Sequence, residues 1–151
     1  MKRLLLALFL LLAVAAAPAA TGVPEGVKHV VTGGFWSADG KSGTYRVVVI
    51  NEGSEQVTSR VHVEWLAQTP TGLVIVASVE PRLPFGNGVA NLRAALRPDR
   101  KGGRALVQVE GVMAADPNQK VTTAILASTP GKVVVGTLKQ RGKRPPADGT
   151  T

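Results

Sequence analysis

The chain has 151 residues, a formal net charge of +8 and no cysteine. The absence of thiols excludes disulfides, thiolate metal sites, cysteine nucleophiles and a lipid-modified cysteine anchor. The basic balance favours acidic partners, such as lipopolysaccharide phosphates or acidic polysaccharide, but it also serves simple solubility.

The N-terminal segment has the layout of a secretory signal peptide. Two cations, Lys2 and Arg3, precede a wholly apolar stretch over 4–16, and small residues occupy alternate positions in 17–19. The apolar stretch is shorter than the roughly 20 residues that cross a bilayer as a helix. We therefore expect a signal peptide over 1–19, export to the periplasm or beyond, and no membrane span in the mature chain. An uncleaved membrane anchor is the alternative.

Short strands separated by turn sequences account for the rest of the chain. Their predicted ranges are 27–36, 44–51, 57–66, 73–79, 89–96, 105–110, 121–127 and 132–138. Seven or eight short strands at fairly regular spacing, without a convincing helix, are typical of an antiparallel sandwich or barrel. We therefore predict an all-β, immunoglobulin-like antiparallel β-sandwich over residues 20–138.

Alternation along the strands predicts which side chains face the core. The clearest alternation lies in 57–66, with an inward row of Val57, Ser59, Val61, Val63 and Trp65. The segment 73–79 is apolar on both faces, which predicts a central strand. In the following strands the predicted inward rows are Ala90, Leu92, Ala94 and Leu96, then Ala105, Val107 and Val109.

Four large aromatic residues are expected to anchor an otherwise aliphatic core, namely Trp36, Tyr45, Trp65 and Phe85. Trp65 lies on the strand that most resembles a central sandwich strand, so we assign it to packing. Trp36 follows the sequence Gly-Gly-Phe at a predicted strand end rather than within an alternating row. It is therefore a candidate ligand platform.

Catalytic and metal-binding motifs are scarce. The two histidines, His29 and His62, lack an acid–histidine pattern, and no serine stands in a Gly-x-Ser-x-Gly turn. We therefore expect a non-enzymatic protein without a cofactor. A copper or zinc site in which His29 and His62 meet beside Glu64 is an alternative, provided that their strands pair.

Basic side chains concentrate in two clusters. The first consists of Arg97, Arg100, Lys101 and Arg104, and the second of Lys139, Arg141, Lys143 and Arg144. The second cluster lies in a segment rich in glycine, proline and threonine, so we predict a basic disordered tail over 139–151. Both clusters suit polyanions, but neither contains an aromatic residue for stacking on bases, so we expect no nucleic-acid partner.

A strand ending in an Asn-x-Gly turn occupies 45–53 (YRVVVINEG), and alternating hydrophobes follow in 61–66 (VHVEWL). This pattern resembles the bacterial immunoglobulin-like modules called CARDB. The resemblance implies a seven-stranded sandwich used in envelope or surface interactions, without catalysis. The segment 42–46 (SGTYR) is also similar to the small exported sandwiches that attend curli fibre assembly.

Three functions follow as hypotheses. The first is a protein-binding module of the bacterial cell envelope, an accessory to secretion, adhesion or fibre assembly, that binds a secreted or envelope protein by edge-strand addition at 132–138. The second is binding of lipopolysaccharide or acidic polysaccharide through the two basic clusters. The third is periplasmic metal or small-ligand binding through Trp36 and the histidines.

Overall fold

Eight antiparallel strands form the part of the chain that the structure describes. A computed structural model describes residues 26–55, 57–86, 88–99 and 102–136. The strands are β1 Val27–Ala38, β2 Lys41–Glu52, β3 Thr58–Thr69, β4 Gly72–Val79, β5 Val89–Pro98, β6 Ala105–Met113, β7 Lys120–Ala127 and β8 Val133–Gly136. The predicted leader 1–19 and tail 139–151 lie outside the described residues.

The strands form two four-stranded sheets, ordered β1-β2-β3-β4 and β5-β6-β7-β8. The predicted all-β antiparallel sandwich of seven or eight strands is therefore confirmed, and the described residues contain eight. Each strand pairs with its neighbour in sequence, so each sheet is a simple meander, whereas immunoglobulin domains connect their two sheets by Greek-key crossings. Within the described ranges the chain passes from one sheet to the other once, between β4 and β5.

The inward rows of both sheets meet in an aliphatic core anchored by aromatic rings. Ser59, Val61, Val63 and Trp65 of β3 are buried as their alternation predicts, whereas Val57 precedes the strand and is exposed. The predicted row of β6, which consists of Ala105, Val107 and Val109, is also buried. Trp36, Tyr45 and Trp65 lie in this core, and Phe85 packs against it.

β4 is an edge strand, which corrects the prediction that 73–79 forms a central strand. It pairs only with β3, and Leu73 to Val76 are exposed hydrophobic side chains. Apolarity on both faces of a strand indicates burial only when another element covers the second face. Among the described residues no further strand pairs with β4, so the inference from composition fails here.

A β-bulge in β5 changes which of its side chains face the core. Two β5 residues, Asn91 and Leu92, lie opposite one residue of β6, and Asn91 has a φ of 53°. As a result Val89 is fully buried, and the predicted inward residue Ala90 is only half-buried. Gly111 makes room for the bulge, because a Cβ there would lie 2.7 Å from Leu92 Cδ2.

Candidate functional site

The structure places Trp36 inside the core, which corrects its assignment as a ligand platform. Its side chain is 1% exposed, and its indole Nε1 donates a hydrogen bond to the carbonyl of Thr44 at 3.1 Å. The core therefore covers the indole ring and Thr44 accepts its N–H hydrogen bond, so neither is available to a ligand. The neighbouring Phe35 points outward instead and is 57% exposed.

The two histidines lie on opposite faces of the first sheet, which corrects the hypothesis that they share a metal. His29 of β1 pairs with Val49, whose side chain is buried in the core, whereas His62 of β3 pairs with Val48 on the outer face. Adjacent residues of a strand point to opposite faces, so the two imidazoles cannot converge. Among the described residues no three metal-ligating side chains form a group.

The first basic cluster is partly neutralised within the described part of its loop. Arg104 donates to Asp99, with an Nη2–Oδ2 distance of 2.6 Å, while Arg97 is exposed on the outer face of β5. Arg100, Lys101 and the whole second cluster over 139–144 lie outside the described residues. The structure therefore places two of the eight predicted polyanion-binding residues and pairs one of these two with an acid.

The outer face of the first sheet carries charges that compensate one another. Arg46 of β2 pairs with Glu64 of β3, and Arg60 contacts Glu52 at 2.8 Å and Glu80 at 3.5 Å. Because each arginine has its own carboxylate, this face offers a polyanion little free positive charge.

Two of the four sheet edges lie against each other. His29 Nε2 on β1 donates a hydrogen bond of 2.8 Å to the carbonyl of Ala94 on β5, so these two edge strands run side by side. β8, which lies within the predicted docking segment 132–138, is confirmed as an edge strand, but only its four residues Val133–Gly136 are described as strand. Thr137 and Leu138 lie outside the described residues.

The remaining edge, β4, is the longest uncharged one. Its eight residues, Gly72–Val79, contain neither a charged residue nor a proline. Leu73 is 51% exposed, Val74 40%, Ile75 45% and Val76 37%. Such a run of consecutive exposed hydrophobes beside free backbone groups is unusual, because edge strands commonly carry lysine, proline or inward charge that blocks pairing.

A cleft of about 400 Å³ lies beside this edge. The cleft is lined by Val74 and Val76 of β4, by Ala67, Gln68 and Thr69 of β3, by Gly40 of the β1–β2 turn, and by Lys41 and Ser42 of β2. The register of β3 with β4 skips Val76, so a bulge separates the ladder at Ile75 from that at Ala77. Among the described residues β4 thus combines an unpaired backbone edge with a recess lined by both apolar and polar side chains.

Comparison with family models, with curated proteins and with solved structures finds no match for this chain. The CARDB and curli-accessory resemblances stay predictions. Within the described ranges no helix is long and apolar enough to cross a bilayer. Sequence reasoning missed the β4 edge, although its signal, a five-residue uncharged apolar run after a Thr-Pro-Thr-Gly turn, is visible in the sequence.

Proposed function

We propose that this protein is an exported, non-enzymatic binding module of the bacterial cell envelope that adds a strand of its partner to the β4 edge. The observation that carries the proposal is the uncharged edge strand Gly72–Val79 with four consecutive exposed hydrophobes. In β-augmentation the backbone ladder supplies affinity and side-chain recesses supply specificity. Both components are present at β4.

The bulge at Val76 locates the docking segment more narrowly. A bulge disrupts the ladder and increases the local twist, so regular pairing is interrupted at this residue. The stretch Gly72–Ile75 lies on one side of the bulge and adjoins the cleft lined by Val74. We assign the first contacts of the added strand to this stretch.

The chemistry of β4 specifies an apolar partner strand. Gly72–Val79 has no charged side chain that would form a favourable pair with an acidic or a basic residue directly opposite. β-Branched and aliphatic residues pair best with exposed valine and isoleucine, and each such cross-strand pair contributes about 0.2–1 kcal/mol. The partner segment is therefore an extended, uncharged stretch rich in β-branched or aliphatic residues.

Export is the second part of the proposal and rests on the leader-like sequence of 1–19. Exported proteins usually form disulfides in an oxidising compartment. This chain has no cysteine, so the core between its two sheets must stabilise the fold without them. Sequencing the N-terminus of the protein recovered from the periplasm or medium tests this part, and a mature chain that begins at Ala20 is the expected result. Recovery only from the cytoplasm would contradict it.

Site-specific photo-crosslinking in intact cells tests the docking edge. A photoreactive residue is placed at position 73 on β4 or at position 134 on β8, the edge named by the sequence analysis. The expected result is a discrete adduct from position 73 that is lost in Ile75→Lys. The matched control is Val134→Lys, because it places the same charge on an exposed residue of the other outer edge.

Each outcome of this experiment bears on one edge. An adduct from position 73 that survives Val134→Lys and disappears with Ile75→Lys supports β4. An adduct from position 134 with the opposite sensitivity returns the docking site to β8. Adducts that neither lysine changes would rule out strand addition at both edges. Protection of the amides of 72–75 from hydrogen exchange in the isolated complex supplies an independent readout.

A further inference from the structure

A second cleft, of about 380 Å³, opens where the edges of β1 and β5 meet. Its lining residues are Lys28, His29, Asn51, Asn91, Leu92 and Arg93. It lies away from β4, and its lining has a different chemistry, because five of its six side chains are polar or charged. We call it the seam cleft.

Two irregularities in the sheets shape the seam cleft. In β1 the register passes from Val27 to His29 against a single step on β2, so Lys28 is an extra, bulged residue. In β5 the bulge at Asn91 and Leu92 faces it. Bulges often re-aim side chains beside functional sites. Here two bulges on neighbouring edges turn polar side chains towards the same space.

Asn91 stands in a conformation that normally favours glycine. Its φ of 53° lies in the left-handed region, where asparagine is the best tolerated residue with a side chain. No hydrogen bond within the described residues uses its amide. A glycine would form the same bulge with less strain. We therefore expect the asparagine side chain to hydrogen-bond a ligand rather than another part of the protein.

A hydrogen-bond chain fixes the amide of Asn51. The backbone N–H of Leu92 donates to Ser59 Oγ at 3.4 Å, so the hydroxyl proton of Ser59 is free to be donated to Asn51 Oδ1 at 2.8 Å. This orientation leaves the NH₂ group of Asn51 as its unused end. The bulge of β5 and the side chain of Asn51 are therefore held in one arrangement.

Lys28 and Arg93 give the lining of the seam cleft its positive charge. Within the described residues Lys28 and Arg93 form no ion pair, and no carboxylate lines the cleft. Glu110, the cross-strand neighbour of Arg93, accepts a hydrogen bond from Gln108 and does not line the cleft. The Nε2–H group of His29 already donates its hydrogen bond to the carbonyl of Ala94. The donors left to a ligand are one ammonium, one guanidinium and the NH₂ groups of two amides, and the Oδ1 of Asn91 is an acceptor beside them.

We infer that the seam cleft binds a tetrahedral oxyanion, phosphate or sulfate, either free or as the end group of a larger anionic molecule. Arg93 supplies a planar fork suited to such an anion, Lys28 a point charge, and the two asparagines neutral donors. This site is independent of strand addition at β4, and it differs from the basic clusters weighed in the sequence analysis.

Titration of the purified protein with inorganic phosphate, followed by amide NMR in a phosphate-free buffer, tests the site. We expect saturable shifts confined to 28, 51 and 91–93, including the side-chain NH₂ signals of both asparagines. The double variant Lys28→Ala/Arg93→Ala should weaken binding by about tenfold or more. The matched control, Arg97→Ala/Lys132→Ala, removes the same two charge types at the opposite end of the second sheet and should change affinity by less than about twofold.

Asn91→Gly separates a ligand-binding role from a structural one. Glycine keeps the left-handed bulge, so thermal stability should be unchanged or higher, while phosphate affinity falls by about threefold or more. A parallel titration with glycerol phosphate distinguishes the source, because tighter binding of the ester assigns the anion to a larger molecule. No saturable shift, or equal losses in the two double variants, would overturn the site. Loss in the Arg97/Lys132 variant alone would move anion binding to the basic loop.

Discussion

Tyr45 and Trp65 are cross-strand neighbours that share one hydrogen-bond acceptor. Their rings meet edge to face with centroids 5.9 Å apart, and both side chains donate to the carbonyl of Ser128, the indole at 2.8 Å and the phenol at 2.9 Å. Ser128 directly follows β7, so two aromatic residues of the first sheet are tied to the second. The Tyr45 hydroxyl also lies 3.0 Å from the carbonyl of Gly103.

Removing this hydroxyl should destabilise the sandwich. Tyr45→Phe leaves the ring packing in place but removes the single O–H that lies within hydrogen-bond distance of the carbonyls of both Gly103 and Ser128; only Ser128 keeps a side-chain donor, the indole of Trp65. We expect a loss of about 1–3 kcal/mol in the free energy of unfolding, measured by urea denaturation. A change below about 0.5 kcal/mol would show that the hydroxyl does not hold the two sheets together.

The same residue predicts a loss of stability at alkaline pH. Burial raises the pKa of the Tyr45 phenol above that of a free tyrosine, an effect opposed in part by the neighbouring Trp65 side chain. The unfolded phenol ionises near about pH 10, before the folded one does. The stabilisation is therefore complete below about pH 10 and is lost as the pH rises through the folded pKa.

The chain contains a single tyrosine, so its phenolate absorbance can be followed without interference from another one. We expect a titration midpoint above that of the urea-unfolded protein. We also expect the stability difference between the wild-type protein and Tyr45→Phe to shrink as the pH rises above about 10. An unchanged midpoint on unfolding would contradict the assignment.

Gly43 is a position where the β2–β3 ladder leaves no room for a side chain. A Cβ there would lie 1.7 Å from the carbonyl oxygen of Leu66, which belongs to the backbone and cannot rotate away. Gly43→Ala should therefore cost about 3 kcal/mol or more in thermal or urea unfolding. Gly136→Ala is the control, because nothing lies within 4 Å of a Cβ at that strand position. Equal effects of the two variants would disprove the steric account.

Ser59 is a buried polar residue whose hydroxyl links β5 to β2. Ser59→Ala leaves the N–H of Leu92 and the amide oxygen of Asn51 without their partner, so we expect a loss of about 1–3 kcal/mol in unfolding free energy. Ser78→Ala, on the exposed face of β4, should change stability by less than about 0.5 kcal/mol. Comparable losses would mean that the hydrogen-bond chain contributes nothing specific.

Ile75→Lys should change association without changing folding. Its side chain is 45% exposed, so a lysine keeps its ammonium in water and alters unfolding free energy by less than about 1 kcal/mol. A charged edge resists pairing with another strand, so concentration-dependent association of the purified protein should decrease. Light scattering and denaturation on the same samples measure both quantities. A large loss of stability would show that Ile75 is a core residue rather than an edge residue.

Alternation in the sequence predicted the all-β class, a count of seven or eight strands and most inward rows, because a period of two needs only local information. Val61, Val63 and Trp65 are examples, since each is buried where the pattern places it. The aromatic anchors were also predictable, because burial of a large ring in the core removes a large apolar area from water.

The neighbours of each strand were decided only by the tertiary structure. The segment 73–79 has the pattern of a strand buried on both faces, yet it is the last strand of its meander, and no other strand of the described ranges pairs with its outer edge. The two histidines similarly depend on strand register, which places them on opposite faces of one sheet. Whether the second face of a strand is buried depends on which element packs against it. The alternation of residues within the strand does not show this.

The sequence by itself determined that this chain lacks cysteine and is rich in strand patterns, and that a leader-like pattern precedes them. Composition and alternation can be read directly from the order of the residues. Only the tertiary structure decided that the exposed apolar edge is β4 and that Lys28 and Arg93, which are far apart in sequence, line one cleft. Sites of this kind arise from bulges and from the meeting of strand edges. Those are long-range relationships, fixed by packing after the local patterns have been satisfied.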